Sequence, residues 1–551
     1  MLKTDIIAFF SAEHFFRLKS EEKQKEKFDA LQDEFFKEFP DYEEDYSLLF
    51  PILIDYHKEQ QKARKAREMA KARARAALPV AAGCNKATDH IKYLPKGRYV
   101  LTAAQNNTHI NEIFLKCVLN FCEKNSAQLL IGRITYNKNG FNQPDINSND
   151  SDLWYDEKIK PFLVKGHIDL QGVHFLSDSN VIPTATYPLT GFSGATGAGE
   201  HIVVPATKIS LEIAAALKNS PTKTLVSTGA ITKINLIMRK AGAVAAIEHC
   251  IGATYVDTTG EIPIIRTLQL MPESACFYDY DQVYFADGFS RKIEPGEVAA
   301  LQPGDIHAEK ITDDNLKSIV KLIRELCPEN LILHDVIDFS TCNHHNNKDC
   351  TFNHLQSINN QTVAGDITKT AELIDRLMLE MGTKGNILVI ESNHDLAINT
   401  WLKNSDFKID QVNAVTYLKC MLALYEYQKR NGNSDDFNML EYAYNAIGKG
   451  KNGLNERLIF NRVDESCILA GVEMGCHGHN GANGSKGTPK QFRKLGIPIN
   501  TGHTHSPSIY GKVYTAGVSA SLEMGYNVGA SSWAIAHIVT FSNGQRQIIF
   551  K

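Results

Sequence analysis

Five short strings in the second half of the chain gather histidine, aspartate and asparagine at spacings that suit cation binding. They are Gly304-Asp305-Ile306-His307, His334-Asp335-Val336-Ile337-Asp338, Ser392-Asn393-His394-Asp395, Gly475-Cys476-His477-Gly478-His479 and Gly502-His503-Thr504-His505. Each alone is weak, because D-x-H and H-x-H arise by chance and a single histidine is more often a satisfied structural group than a ligand. In series they are specific. Each stands at or next to an expected strand end, where side-chain alternation or a tight turn lets the first and third residues of D-x-H and H-x-H converge on one point. Two divalent cations about 3.5–4 Å apart need a shared carboxylate to relieve their repulsion, with imidazole, amide and carboxylate atoms completing each shell. Mixed nitrogen and oxygen ligation without thiolate suits Mn, Fe, Zn or Ni, not an iron–sulfur cluster. In the fourth string either His477 or His479 could be the ligand, and His477 is the nearer to the expected strand GVEMG.

The order D-x-H, D-x-x-D, N-H-D, a histidine after a strand, and G-H-x-H resembles the calcineurin-like metallophosphoesterase superfamily over about residues 300–551. The resemblance implies a C-terminal sandwich of two mixed β-sheets flanked by helices. It implies that Asp305, His307 and His505 hold a first metal ion, that Asn393, His477 and His503 hold a second, and that Asp335 bridges both. It further implies that His394 stabilises or protonates the leaving oxygen, with Asp395 orienting it, while a hydroxide activated by both cations attacks phosphorus in line. Two positions depart from the pattern. His334 stands where the superfamily usually has glycine, and Phe339 stands where protein phosphatases have an arginine that clamps the phosphate, which argues against a phosphoserine substrate. His344 and His345, just after the second string, could line a substrate groove or serve as hydrogen-bonded loop residues.

The elements that must position these strings follow from periodicity. After about residue 296, VAALQPGD reads as a strand ending on an acid, DDNLKSIVKLIRELC as an amphipathic helix and NLILHD as a second such strand. ITKTAELIDRLMLEMG is then a helix and NILVIESNHD a third strand, with a helical insertion at about 410–450. Open α/β sheets place ligands beyond such carboxyl ends. Residues 95–295 read as a mixed α/β domain: RYVLTAAQ, NEIFLKCVLNFCEKN and AQLLIGRITY form a βαβ unit, and KTLVSTGAIT, AVAAIEHC, ATYVD and IPIIRTLQL are strand-like. Its glycine-rich loop from Gly191 to Gly199 lacks the G-K-[ST] ending of a phosphate-binding P-loop and reads as a turn. Residues 1–80 read as a charged helical arm. Within it, Lys58 to Arg75 carries eight Lys or Arg against Glu59 and Glu68, so Lys58, Lys62, Arg64 and Lys65 are candidate DNA contacts, with a solvated connecting helix as the plainer reading.

Composition bounds the rest. A chain of 551 residues with 43% hydrophobic and 22% charged residues is globular and too long for one core. It shows no apolar run long enough for a membrane span, and its start, broken by Asp5 and Glu13, does not read as a signal peptide, so a cytoplasmic location is expected. Eleven scattered cysteines without a C-x-x-C pair point to reduced thiols. A formal charge of −4 means that any nucleic-acid contact must be local. LILHDVIDFSTCNHHN, CHGHNGANGS and GHTHSP, preceded by PTATYPLTG and STGAIT, resemble the early metal-dependent DNases of Tequintavirus-like phages, a family associated with host-DNA degradation and second-step DNA transfer. That resemblance implies two Mn²⁺ ions, as in SbcD-type nucleases, DNA as partner, a homo-oligomer, and a second phage DNA-transfer protein as a further partner. The alternatives are a small-nucleotide phosphodiesterase and a DNA-binding or assembly protein with a vestigial metal centre.

Overall fold

The computed structural model describes residues 3–12, 15, 21–40, 46–58, 91–136, 153–217, 220–342, 350–434, 436–453, 455–463, 465–525 and 527–551. The chain divides into two compact units, Met1–Lys86 and Ala87–Lys551. Among the described residues, no helix is long and apolar enough to cross a membrane.

The first unit holds the helices Lys3–Ala12, Glu21–Ala30 and Gln32–Glu38 and a helical stretch over 49–58. The sequence predicts a charged arm here, but the helices bury a core of their own built on Phe10, Phe15, Phe28, Leu31, Phe35 and Leu53. Phe28 stacks on Tyr46 with ring centroids 4.3 Å apart, and the Tyr46 hydroxyl donates to the Phe28 carbonyl. Lys58 is exposed at the end of the described helix; Lys62, Arg64 and Lys65 lie outside the described residues.

The second unit is mixed α/β, with sheets of eleven, four, three and six strands. The expected βαβ unit is present: Arg98–Gln105 and Ala127–Ile134 pair in parallel across the helix Glu112–Asn125, whose Asn111 side chain caps it by accepting from Phe114 N. AVAAIEHC, expected as a strand, belongs to the helix Lys240–Glu248. Alanine is the strongest helix former, and the two β-branched residues that suggested a strand, Val244 and Ile247, point to solvent. The glycine-rich loop is a turn, and its Gly197 N–H donates to the Glu200 carboxylate.

The six-stranded sheet runs in the order Leu458–Asn461, Asn386–Ile390, Asn330–His334, Val298–Gln302, Ala536–Phe541, Arg546–Phe550. The first four strands are parallel and the last two antiparallel. Alternate residues serve its two faces. Leu301, Leu331, Leu333, Ile387 and Val389 pack on the helices Asp313–Leu326 and Val363–Glu380, while Ala300, Ile332, Leu388 and Ile390 pack on Val472 and Met474 of the eleven-stranded sheet. Each buried Leu or Ile stabilises this layering by roughly 1.5–3 kcal/mol. Helices Ala414–Asn431 and Met439–Ala446 fill the insertion expected at about 410–450, and a further helix, Ala397–Asn404, precedes it.

The eleven-stranded sheet crosses residue 295, where sequence reading divides the chain. Ser508–Tyr510 pairs antiparallel with Ala206–Ala214, in register Ile509 to Leu211 and Tyr510 to Ser210. Ile499–Thr501, Val472–Glu473 and Val513–Thr515 belong to the same sheet as His201–Val204 and Lys223–Gly229.

Candidate metal centre

Three neighbouring parallel strands of the six-stranded sheet each run into one of the strings. Val298–Gln302 leads to Asp305 and His307, Asn330–His334 to Asp335, and Asn386–Ile390 to Asn393 and His394. Two neighbouring strands of the facing sheet, paired in parallel at Glu473 and Ile499, deliver His477 and His503 with His505. The side chains converge through turns and not through the pleat of the strands themselves. His307, Asp335, His503 and His505 all have left-handed backbones, with φ of 46°, 44°, 70° and 56°. For a residue with a Cβ such a conformation costs on the order of 1 kcal/mol or more and persists only where its surroundings over-determine it. Here the support is a ladder of turn hydrogen bonds, in which Ile306, His307 and Ala308 N–H donate to the carbonyls of His334, Asp335 and Val336 at 3.1, 2.7 and 3.0 Å. Gly502 meets a different demand, because a Cβ there would lie 2.2 Å from Asp305 Oδ1 and 3.3 Å from His477 Nδ1.

Seven expected ligands form two groups that share Asp335. In the first, Asp305, His307, Asp335 and His505 place donor atoms within 4.8 Å of one another. His307 Nε2 is 3.1 Å from His505 Nε2 and 3.8 Å from Asp335 Oδ2, and His505 Nε2 is 3.2 Å from Asp305 Oδ2. In the second, Asn393 Oδ1 lies 3.0 Å from both His477 Nε2 and His503 Nδ1, and His477 Nε2 lies 3.2 Å from Asp335 Oδ2. Ligands about 2.0–2.2 Å from one ion are separated by roughly 3.0–3.6 Å along the edges of its coordination polyhedron, so most of these spacings suit a shared cation. Asp305 Oδ1, fully buried, has no hydrogen-bond partner among the described residues, which leaves a lone pair for such a charge. The buried His/Asp group could therefore hold a metal ion, and the nitrogen, oxygen and amide donors fit one.

Electrostatics point the same way. Burial pushes Asp335 and Asp305 up, but His477 and the other imidazoles around them outweigh it and hold both carboxyls below the usual range. Burial lowers His477, and Asp335 and Asp305 more than offset it, raising the ring to about 9. Burial, helped by the charge of His477, depresses His503 and His479 to about 4 and His334 to about 3. Carboxyls held low beside the depressed imidazoles of His503, His479 and His334 suit a buried group that could hold a divalent metal ion.

Of the two histidines left open in the fourth string, His477 sits among the donors, while the His479 ring centroid is 5.4 Å from that of His477 and 6.2 Å from that of His503. His394 Nδ1 lies 3.1 Å from the Asp338 carbonyl oxygen and 3.5 Å from Asp338 Oδ1, and its ring is edge-on to His307 with centroids 4.7 Å apart. Asp338 is thus the acid beside His394. Asp395 is spent on backbone, accepting from Ile337 N at 3.3 Å and Ser392 N at 3.0 Å, and burial together with Asp335 pushes its carboxyl up. Phe339 is fully buried and packs near Trp401. His344 and His345 lie outside the described residues.

Sequence reading gave no role to three supporting groups. Asp338 also faces His307, with Oδ1 3.1 Å from Nδ1; burial raises it, but His307 outweighs this and holds it at about 2. Glu309 accepts from Asp338 N and Phe339 N at 2.7 and 3.0 Å, clamping the turn that carries Asp335 and Asp338; burial, with Asp366 and Asp338, raises it to about 8. Buried His537 accepts from Gly304 N at 3.1 Å. Asp338 had a signal in its place three residues after Asp335; the other two had none.

The chain is 38% identical over 502 residues to Protein A1 of Escherichia phage T5, a match that covers 88% of this chain and 87% of that protein. No family model matches the chain.

Proposed function

The chain belongs to the family of Protein A1 of Escherichia phage T5, and from the donor set of its buried centre we propose that it is a divalent-metal-dependent deoxyribonuclease of metallophosphoesterase type, hydrolysing DNA phosphodiester bonds during phage-directed host-DNA degradation and DNA transfer. One observation carries this reading: six nitrogen and oxygen donors, delivered with Asp335 from five strand ends, fall into two groups that share that single buried carboxylate. A structural cluster has no need of that sharing, whereas two cations held close together do. Asp305, His307, Asp335 and His505 would hold one ion and Asp335, Asn393, His477 and His503 the other, with Mn²⁺ the proposed metal. Bound there, the cations would supply Lewis acidity toward the phosphodiester and its water nucleophile.

The protein groups have separable tasks. The Asp338 carbonyl can only accept, so the proton on His394 Nδ1 points to it and fixes the tautomer. With Nδ1–H kept on that carbonyl, Nε2 of this half-buried ring can give a proton to the leaving oxygen only when the ring carries a second proton as imidazolium, and it returns to the Nδ1–H tautomer afterwards. The Asp335 carboxylate also accepts the His394 backbone N–H at 3.2 Å, tying the proton donor to the metal-bridging turn. Asp305 Oδ2 accepts the His503 N–H at 2.7 Å, which fixes one ligand-bearing turn against the other.

The test is incubation of the purified protein with plasmid and linear DNA in Mn²⁺, Mg²⁺, Zn²⁺ and Ca²⁺, each with an EDTA control and an Asp335→Asn variant. Metal-dependent cleavage lost in Asp335→Asn is expected. Absence of cleavage with every cation would refute the nuclease assignment, and turnover of small phosphodiesters alone would replace DNA with a nucleotide substrate.

A further inference from the structure

A second cleft, of about 670 Å³, opens between residues 111–275 and the strands near the C-terminus, and none of the seven expected metal ligands lines it. On its wall stands Arg546, only 7% exposed. One edge of the guanidinium is used: Nη1 donates to the Ile499 carbonyl at 3.0 Å and to Asn500 Oδ1 at 3.2 Å. Its face stacks on Tyr514, 4.0 Å from the ring centroid. Nε and Nη2, the edge that grips a phosphate in two parallel hydrogen bonds, make no hydrogen bond among the described residues, and no carboxylate there pairs with the charge. A buried cation without a counter-ion is costly to keep, and an anion is the group that would complete it.

The rest of the wall agrees. Lys512 and Lys233 add positive charge. Of the acids, Glu248 is neutralised by Lys208 and Arg493, and Glu273 is exposed to solvent. Leu270 and Met271 give an apolar surface, and the volume falls in the range that small organic ligands occupy.

We propose that this cleft is a second ligand site, for a phosphomonoester of nucleotide size, with the phosphate on the free edge of Arg546 and the organic part against Leu270 and Met271. The site is separate from the metal centre and is tested without it. The full-length protein is titrated calorimetrically in EDTA, so that no cation can recruit phosphate, with deoxyadenosine monophosphate, inorganic phosphate and deoxyadenosine. The monophosphate is expected to bind, phosphate to bind more weakly, and the nucleoside more weakly still. Arg546→Lys, which keeps the charge and loses the fork, should weaken the monophosphate by about 10-fold or more. Should that buried variant fail to fold, Lys233→Met/Lys512→Met, which alters only the rim, should still weaken binding several-fold. No binding of monophosphate or phosphate at millimolar concentration, equal affinity for the nucleoside, or unchanged affinity in the folded variants would overturn the proposal.

Discussion

Replacing Gly502 by alanine adds a single methyl group, yet it tests the whole construction of the metal centre. The new Cβ would lie 2.2 Å from Asp305 Oδ1, more than about 1 Å short of ordinary van der Waals contact. The carboxylate has little freedom to yield: Asp305 is fully buried, and its other oxygen is held by the His503 N–H at 2.7 Å and faces His505 Nε2 at 3.2 Å. Retreat on the other side would move His477, whose Nδ1 lies 3.3 Å from the same point. Overpacking of this kind costs roughly 1–3 kcal/mol of stability. A shift of about 1 Å in a ligand of the reaction centre costs on the order of 100-fold in rate. Gly502→Ala should therefore fold, melt a few degrees lower, bind Mn²⁺ more weakly by calorimetry and lose about 100-fold of its metal-dependent DNA cleavage. Full metal affinity together with cleavage within a few-fold of the parent would refute the placement of Asp305 against the Gly502 turn.

Three further outcomes are expected. His394→Ala should lower turnover by about 100-fold or more while leaving metal content unchanged by elemental analysis, because the ring lies outside the group of Asp305, His307, Asp335 and His505 and its Nδ1 is turned to the Asp338 carbonyl; His394 also stands within 4.8 Å of donor atoms on His307 and Asp338, so loss of metal would make it a ligand. In metal-free protein His477 is raised to about 9, so its contribution to stability is complete below about pH 6.5 and is lost as pH rises through 9, whereas Asp335 and Asp305, held low, contribute above about pH 4 and lose that contribution in acid. Metal loading at pH 7–8 should accordingly release a proton and tighten with rising pH, read by calorimetry in buffers of different ionisation enthalpy; uptake without proton release would show His477 to be neutral beforehand. Changing Lys58, Lys62, Arg64 and Lys65 together to Gln should reduce the slope of log DNA affinity against log salt by up to about 3.6 if all four meet duplex phosphates, and an unchanged slope would remove this segment from the DNA contact.

The site was legible in the chain because its residues are chemically unusual and sit where regular strands stop. VAALQ, NLILH and NILVI are short apolar runs whose polar successors stand out against them, and the βαβ unit from Arg98 was legible for the same reason. The left-handed backbones of His307, Asp335, His503 and His505 were not, since nothing local in a histidine or aspartate demands positive φ; the turn ladder and the neighbouring strings impose it. Asp395 drew attention by standing next to His394, but its hydrogen bonds go to the Ile337 and Ser392 amides, a matter of tertiary packing. The pairing of Ser508–Tyr510 with Ala206–Ala214 joins residues about 300 positions apart, and no periodicity within either strand announces its partner. AVAAIEHC misled because its two β-branched residues face solvent, where they report nothing about pairing.

The strand Ala536–Phe541 follows every expected ligand in the sequence, yet it lies directly against Val298–Gln302, which leads to Asp305 and His307. Synthesis from the N-terminus therefore delivers all seven donors before the neighbour that supports two of them. A ribosome-bound chain that has reached His505 still lacks the edge partner of Val298–Gln302, the Gly517 carbonyl that receives the Asp305 N–H and the His537 ring that receives the Gly304 N–H. The centre thus has a built-in delay: its alignment waits for Ala536–Phe541, and a chain cut short after His505 carries the seven expected donors without the frame that aligns them.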